Sequence, residues 1–150
     1  EKMKEILAKT KRGKEIMTYK VMIDKKNNTF PLKGLNELLG ARLYNPRTKR
    51  YTNSVKTSND RTCLKAIKKC LPSVHIDKPI RCTYHIYTAD KRHDRSNLYS
   101  AIEKSFLDAL QIAKVIRNDG WDDVLDSVFH TEVDKENPRV VVEIEVLGKE

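Results

Sequence analysis

Residues 79–113 read PIRCTYHIYTADKRHDRSNLYSAIEKSFLDALQIA, and a change of rhythm inside them decides the fold. From Pro79 to Thr88 apolar and polar side chains alternate, with Ile80, Cys82, Tyr84 and Ile86 set against Arg81, Thr83, His85 and Tyr87. A period of two predicts a strand with one buried face. Past Lys91-Arg92-His93-Asp94 the period lengthens. Leu98, Ile102, Phe106, Ala109 and Ala113 recur at helical spacing and predict a helix from about Ser96 to Ala113. A strand feeding a helix, with strands on either side, predicts a small α/β (α+β) protein.

Downstream, Val124 to Val133 and Arg139 to Leu147 predict two more strands. In the second, Val140, Val142, Ile144 and Val146 share a face, and Asn137-Pro138 marks the turn between the two. Upstream, Tyr19, Val21 and Ile23 alternate with Lys20, Met22 and Asp24 and predict a first strand, closed by a turn at Asp24 to Asn28. Phe30 to Gly40 is punctuated by Pro31 and Gly34 and reads as a loop followed by a short helix. Ala41 to Lys56 has no clean period and reads as a long basic loop with Tyr44 and Tyr51 interleaved. Ser58, Asn59 or Asp60 is suited to cap a second helix. Its apolar face is Cys63, Ile67 and Cys70 with Leu64 and Leu71; Lys65, Lys68 and Lys69 lie on the other side, and Pro72 ends it. The expected architecture is a mixed sheet of about four strands with two main helices. Residues 1–16 are charged and read as an N-terminal extension or a segment added for expression, with at most a helix through Ala8 or Lys9. Residues 17–150 form the expected domain.

The chain has 150 residues and a formal net charge of +9. That excess favours a polyanionic partner, most often nucleic acid. Between Lys33 and Lys69 ten Lys or Arg face two acids, Glu37 and Asp60. Between Asp119 and Glu136 the balance reverses, with seven acids against Lys135. A basic field beside an acidic cluster suits a nucleic-acid enzyme that needs cations. Cys63, Cys70 and Cys82 form no C-x-x-C pair and read as reduced structural thiols of a cytoplasmic protein. No apolar run approaches the length of a membrane span. The five glycines are spread singly, so no phosphate-cradling glycine loop is expected. His75, His85, His93 and His130 are scattered and read as surface or strand residues, and Trp121 as an anchor packed under the returning strand.

An α-helix turns by about 100° per residue. Asn97, Lys104 and Asp108, seven and eleven steps apart from Asn97, therefore share one polar stripe. Asp94 stands just before the helix and Asp119 just after it. If Val115 and Ile116 pack beneath the helix, the returning chain brings Asp119 back toward Asp94. Two carboxylates so placed are suited to Mg²⁺, which takes oxygen ligands and keeps waters. A nearby lysine would stabilise charge on a phosphate.

Asp94-Arg95-Ser96-Asn97, Lys104-Ser105-Phe106-Leu107-Asp108-Ala109-Leu110 and Val115-Ile116-Arg117-Asn118-Asp119 together resemble the RusA family of Holliday-junction resolvases from bacteriophages and prophages. The family pattern is D-x-D-N, then K-x-x-x-D-A/G-L on a helix, then G-V-I/L-x-D-D. Leu35-Asn36 and Asn137-Pro138-Arg139-Val140 extend the resemblance, which covers roughly Thr18 to Leu147. It implies a homodimeric, Mg²⁺-dependent endodeoxyribonuclease that resolves branched DNA in a bacterial or phage-infected cell. By position Asp94 and Asp119 match metal-binding acids, Lys104 matches the helix lysine that assists catalysis, and Asp108 is expected to support Lys104 or the helix. Ser96 and Asn118 stand where the family has acids, so each removes a negative charge, while Asn97 keeps the family residue. Arg42, Arg47, Lys49, Arg50, Lys91 and Arg92 are the candidate phosphate contacts. Two other readings compete. One is a non-catalytic DNA- or RNA-binding module that has lost part of the acidic site. The other is a structural or adaptor protein whose acids are only helix caps.

Overall fold

The structure, a computed structural model, describes residues 6–9, 15–27, 29, 44–45, 50–51, 54–91 and 94–148. In chain order its elements are β1 (Ile6–Lys9), β2 (Glu15–Ile23), β3 (Tyr44–Asn45), β4 (Arg50–Tyr51), α1 (Ser54–Cys70), β5 (Ile80–Thr88), α2 (Arg95–Ile112), β6 (Val124–Val133) and β7 (Arg139–Val146). Five strands form one mixed sheet in the order β1-β2-β7-β5-β6.

The β5–α2–β6 unit sets the plan. β5 and β6 pair in parallel, with Tyr84 beside Phe129 and His85 beside His130. Parallel neighbours need a crossover connection, and α2 supplies it. The chain then turns at residues 134–138 and lays β7 antiparallel on the far side of β5, with Tyr84 beside Val142. β2 pairs antiparallel with β7, and β1 with β2. The expected mixed sheet with two main helices is therefore present.

Along β5 every second residue is buried from Ile80 to Thr88, and both helices cover that face. The core joins Val21 and Ile23 of β2, Cys63 and Ile67 of α1, Tyr84 and Ile86 of β5, Leu98 and Phe106 of α2, and Val142 of β7. The Tyr84 ring meets Phe106 edge-on at 5.7 Å and stacks on Phe129 at 4.9 Å, while Tyr99 stacks on Phe129 at 4.6 Å. Such pairs add to the area burial of aromatic side chains. Burial pushes the Cys63 and Cys82 thiols up to about 12. They are inert core thiols, as their sequence pattern predicted.

The other face of the sheet is polar and partly open. Arg81 reaches Asp126 and Glu145 from opposite sides, and His85 bonds Glu143 and stacks on His130 at 5.4 Å. The scattered histidine positions conceal this pairing, which the parallel register creates.

Three sequence expectations change. Ile6–Lys9 form β1, not a helix, because the edge of β2 satisfies their backbone groups; this short edge strand adds to the expected sheet of about four strands. α1 begins at Ser54, ahead of Ser58, Asn59 and Asp60. Those cap-type residues lie inside the helix, where Thr62 Oγ1 donates back to Ser58 O at 3.0 Å, a bond open to hydroxyls in helices. Residues 41–56 are not one loop, since Tyr44–Asn45 pairs with Arg50–Tyr51. The expected loop and short helix at Phe30 to Gly40 lie outside the described residues. Among the described residues no helix is long and apolar enough to cross a membrane.

Candidate active-site groove

Asp94 is the N-cap of α2. Its backbone is extended (φ −74°, ψ 119°), and its carboxylate accepts the Asn97 backbone N–H at 3.2 Å. A short acidic side chain suits this place because it satisfies one of the unpaired N–H groups of the first turn and faces the positive end of the helix dipole. Arg95, Ser96 and Asn97 follow, all exposed.

Two turns on, Lys104 projects from α2 with its side chain 62% exposed and its Nζ 3.4 Å from Asp108 Oδ1. The other Asp108 oxygen lies 3.3 Å from Lys56 Nζ, and Lys56 also holds Asp60 at 2.7 Å. Asp108 thus supports Lys104 and ties α1 to α2. The hydrogen bond to Asp60 raises the Lys56 pKa, with a further contribution from Asp108, so this lysine stays charged.

The chain leaves α2 through a left-handed residue, Lys114 (φ 61°). Val115 and Ile116 are buried, as expected, and Val115 O accepts the Ile76 N–H at 2.7 Å. The following turn is closed by several bonds. Asn118 Oδ1 accepts the Asp119 N–H at 2.7 Å, Gly120 O accepts from Asp123 and Val124, and Asp123 O accepts from Ile80 at 2.9 Å. Arg117 pairs with Asp123 at 3.0 Å.

This turn, the outer side of α2 and the start of β6 enclose a groove of about 800 Å³. Ser100, Glu103, Lys104 and Leu107 line it from α2, Asp119 and Trp121 from the turn, and Leu125, Asp126 and Ser127 from β6. Trp121 is 94% exposed, which corrects the expectation that it packs as an anchor. The tight backbone bonds of the turn already hold it in place, so the indole is left outside. Asp94 is not among the lining residues. It sits at the far end of α2, whose 18 residues span about 27 Å. A second cavity, of about 350 Å³, opens near that end and is lined by Lys91, Arg95, Thr88 and Thr131 among others.

The fold therefore brings Lys104 and Asp119 together, with Asp108 behind Lys104, and places Asp94 with Ser96 and Asn97 in the first turn of α2. Lys91 is exposed at that end. Arg50 lies in β4, while Arg42, Arg47, Lys49 and Arg92 lie outside the described residues, as does His93. In the sequence Asp122, Asp123 and Asp126 read as an extension of the acidic site or, in preference, a solvated face, and Glu103 carries no motif; Asp126 reaches the groove edge through the register of β6, and Glu103 lies beside Lys104 in sequence.

Asp119 and Glu103 bring carboxylate oxygens to this groove, the hard donors that Mg²⁺ takes, while the Asp126 carboxylate at its edge is paired with Arg81 at 3.2 Å. Among the described residues no group of three or more His, Cys, Asp or Glu converges as a ready metal cage. Mg²⁺ is commonly held by one or two carboxylates, with waters and substrate phosphate completing its shell; Asp119 and Glu103 are the groove carboxylates of that chemical type.

No family model matches the chain, and no curated protein matches it. Among solved structures, that of PurLQS from Thermotoga maritima aligns with 93% of this chain and 19% of its own, at 13% identity and a TM-score of 0.37. The chain thus spans about a fifth of that protein's length, and a likeness of this size carries neither fold nor activity across.

Proposed function

We propose that this chain is a metal-dependent endodeoxyribonuclease of the RusA kind, acting on branched DNA as a homodimer in the cytoplasm of a bacterial or phage-infected cell. One observation carries the reading: the β5–α2–β6 crossover sets Lys104 and Asp119 in one groove, the lysine and acid that the resemblance assigns to catalysis. The reaction is hydrolysis of a phosphodiester, in which water adds to phosphorus and one ester oxygen leaves. A bound Mg²⁺ supplies an activated water and screens the phosphate charge. Asp119 would hold the ion; Asp94, which the resemblance also assigns to it, caps the far end of α2 and does not line the groove, so the sequence expectation that the returning chain brings Asp119 back to Asp94 is not met there. Lys104, steadied by Asp108, would stabilise the charge that grows on the phosphate oxygens. Glu103 and Asp119 stand with Lys104 in the groove, and Asp126 at its edge is paired with Arg81, so a bound cation would help to offset the two free carboxylates as phosphate approaches.

Asp119→Asn tests this directly. The variant is expected to lose cleavage of a synthetic four-way junction in Mg²⁺ by at least about a hundredfold, the scale of a lost electrostatic contact in an active site, while still shifting the junction in a gel at low salt. Wild-type protein that binds the junction and never cuts it in Mg²⁺ or Mn²⁺ refutes the enzyme reading. That outcome would favour the second reading, a non-catalytic nucleic-acid-binding module. Its support is specific: Asp94 is engaged as a helix cap, and Ser96 and Asn118 lack the charge of the family acids.

A further inference from the structure

Away from the groove, α1 carries an outer face of one sign. Arg61, Lys65, Lys68 and Lys69 are all exposed, and the only acid in the helix, Asp60, is drawn toward Lys56 and α2. At about 100° per residue, Arg61, Lys65 and Lys68 fall within a stripe about 60° wide and rise about 10 Å along the axis. Arg61 and Lys65, and Lys65 and Lys69, are like charges one turn apart, an arrangement that weakens a helix. The helix dipole eases this for Lys68 and Lys69 in the last turn. The fold then enlarges the patch. Lys69 Nζ donates to Asn27 O at 2.9 Å, which brings the turn after β2, with exposed Lys25 and Lys26, against the end of α1. The nearby Asp24 is turned inward: it is buried, and its carboxylate accepts the Asn27 N–H at 2.8 Å.

We propose that the outer face of α1, with the turn at Lys25–Asn27, is a phosphate-backbone surface that binds double-stranded DNA separately from the groove. α1 packs over β2 and against one side of α2, whereas the groove opens on the β6 side of α2. The two surfaces therefore lie on opposite flanks of the helical layer. Cations spaced along one face of a helix can each meet a phosphate of a duplex backbone, and a surface of this kind reads backbone rather than sequence. It shares only its partner with the nuclease reading and needs neither metal nor cleavage.

The test is the salt dependence of binding to a short labelled duplex without divalent metal. Each phosphate contact contributes about 0.9 to the slope of log K against log salt. The variant R61Q/K65Q/K68Q is expected to lose about 2.7 from that slope, while R61K/K65R/K68R restores it. Lys135→Gln, an exposed lysine on the β6–β7 turn, should leave the slope unchanged, as should Asp119→Asn. A slope that does not change in the triple variant overturns the proposal, as does a wild type that fails to bind duplex at low salt. Binding to phosphatidylserine vesicles that depends on these residues and exceeds binding to duplex also overturns it. Loss of cleavage in Asp119→Asn with an intact slope supports both readings. An altered slope in the triple variant with no wild-type cleavage supports the α1 surface alone.

Discussion

α1 and α2 lie side by side on one face of the sheet and share one core, yet their outer faces handle charge in opposite ways. α1 turns its single acid inward, to Lys56, and shows Arg61, Lys65 and Lys68 to solvent. α2 mixes signs: Lys104 is held by Asp108, and Glu103 shares the groove with Asp119 and Asp126. On the readings proposed above, one flank would meet a polyanion unaided and the other would do so with a bound cation. The lesson is that net charge locates neither surface. The chain total of +9 would suit either flank, and only the facing of each side chain separates a binding surface from a candidate catalytic one.

Breaking the shared core should erase the comparison altogether. Phe106 is fully buried beneath α2 and meets Tyr84 edge-on. Phe106→Ala removes that contact and leaves a cavity, at a cost of about 3–5 kcal/mol. Equilibrium urea unfolding should show this loss in the midpoint. Duplex binding and junction cleavage should then fall together on warming, because both helices rest on the same ring cluster. If either survives the melting of the other, the two flanks do not depend on one core.

A smaller change separates the two roles of Asp94. Asp94→Ala removes the cap of α2 and should cost about 1 kcal/mol, with no effect on the salt slope of duplex binding. Asp94→Asn keeps a capping side chain and should retain nearly all that stability. If Asp94 also serves a metal, Asn should cut cleavage as severely as Ala despite its normal stability. If it is a cap alone, cleavage should follow stability, with Asn near wild type and Ala reduced. Thermal melts beside junction cleavage decide between these outcomes.

Much of this arrangement is legible in residues 79–147 taken as a string. β5, α2, β6 and β7 fall within about a residue of their expected bounds, because alternation and helical spacing are strong where one face is buried. Local chemistry misleads where it has two uses. Ser58, Asn59 and Asp60 look like caps, yet tertiary packing carries α1 back to Ser54. Ile6 to Lys9 reads as a helix fragment until a strand edge is there to pair with it. The groove is less legible still. Asp119 stands out from its motif, but the groove it shares with Lys104 and the start of β6 depends on the parallel register of β5 and β6, and strand order is not written in any local pattern. The same holds for His85 and His130, and for Lys69 meeting the Asn27 turn.

Trp121 gives the least costly test of how the two flanks divide their work. It is the only tryptophan in the chain, it stands 94% exposed, and it lines the groove while lying on the opposite flank from α1. Its removal should not matter to the fold: Trp121→Ala is expected to change stability by less than about 0.5 kcal/mol, as for a surface residue with no packing role. An anchor packed under β6 would instead cost several times that. The indole also reports where DNA sits. Duplex bound through Arg61, Lys65 and Lys68 should leave the emission of Trp121 unchanged at every salt concentration that supports binding. Branched DNA added with Mg²⁺ should quench or shift it, since exposed aromatic rings stack on unpaired bases, and that change should be smaller in Asp119→Asn. If plain duplex moves the emission as much as the junction does, one surface serves both ligands, and the division between α1 and the groove is wrong.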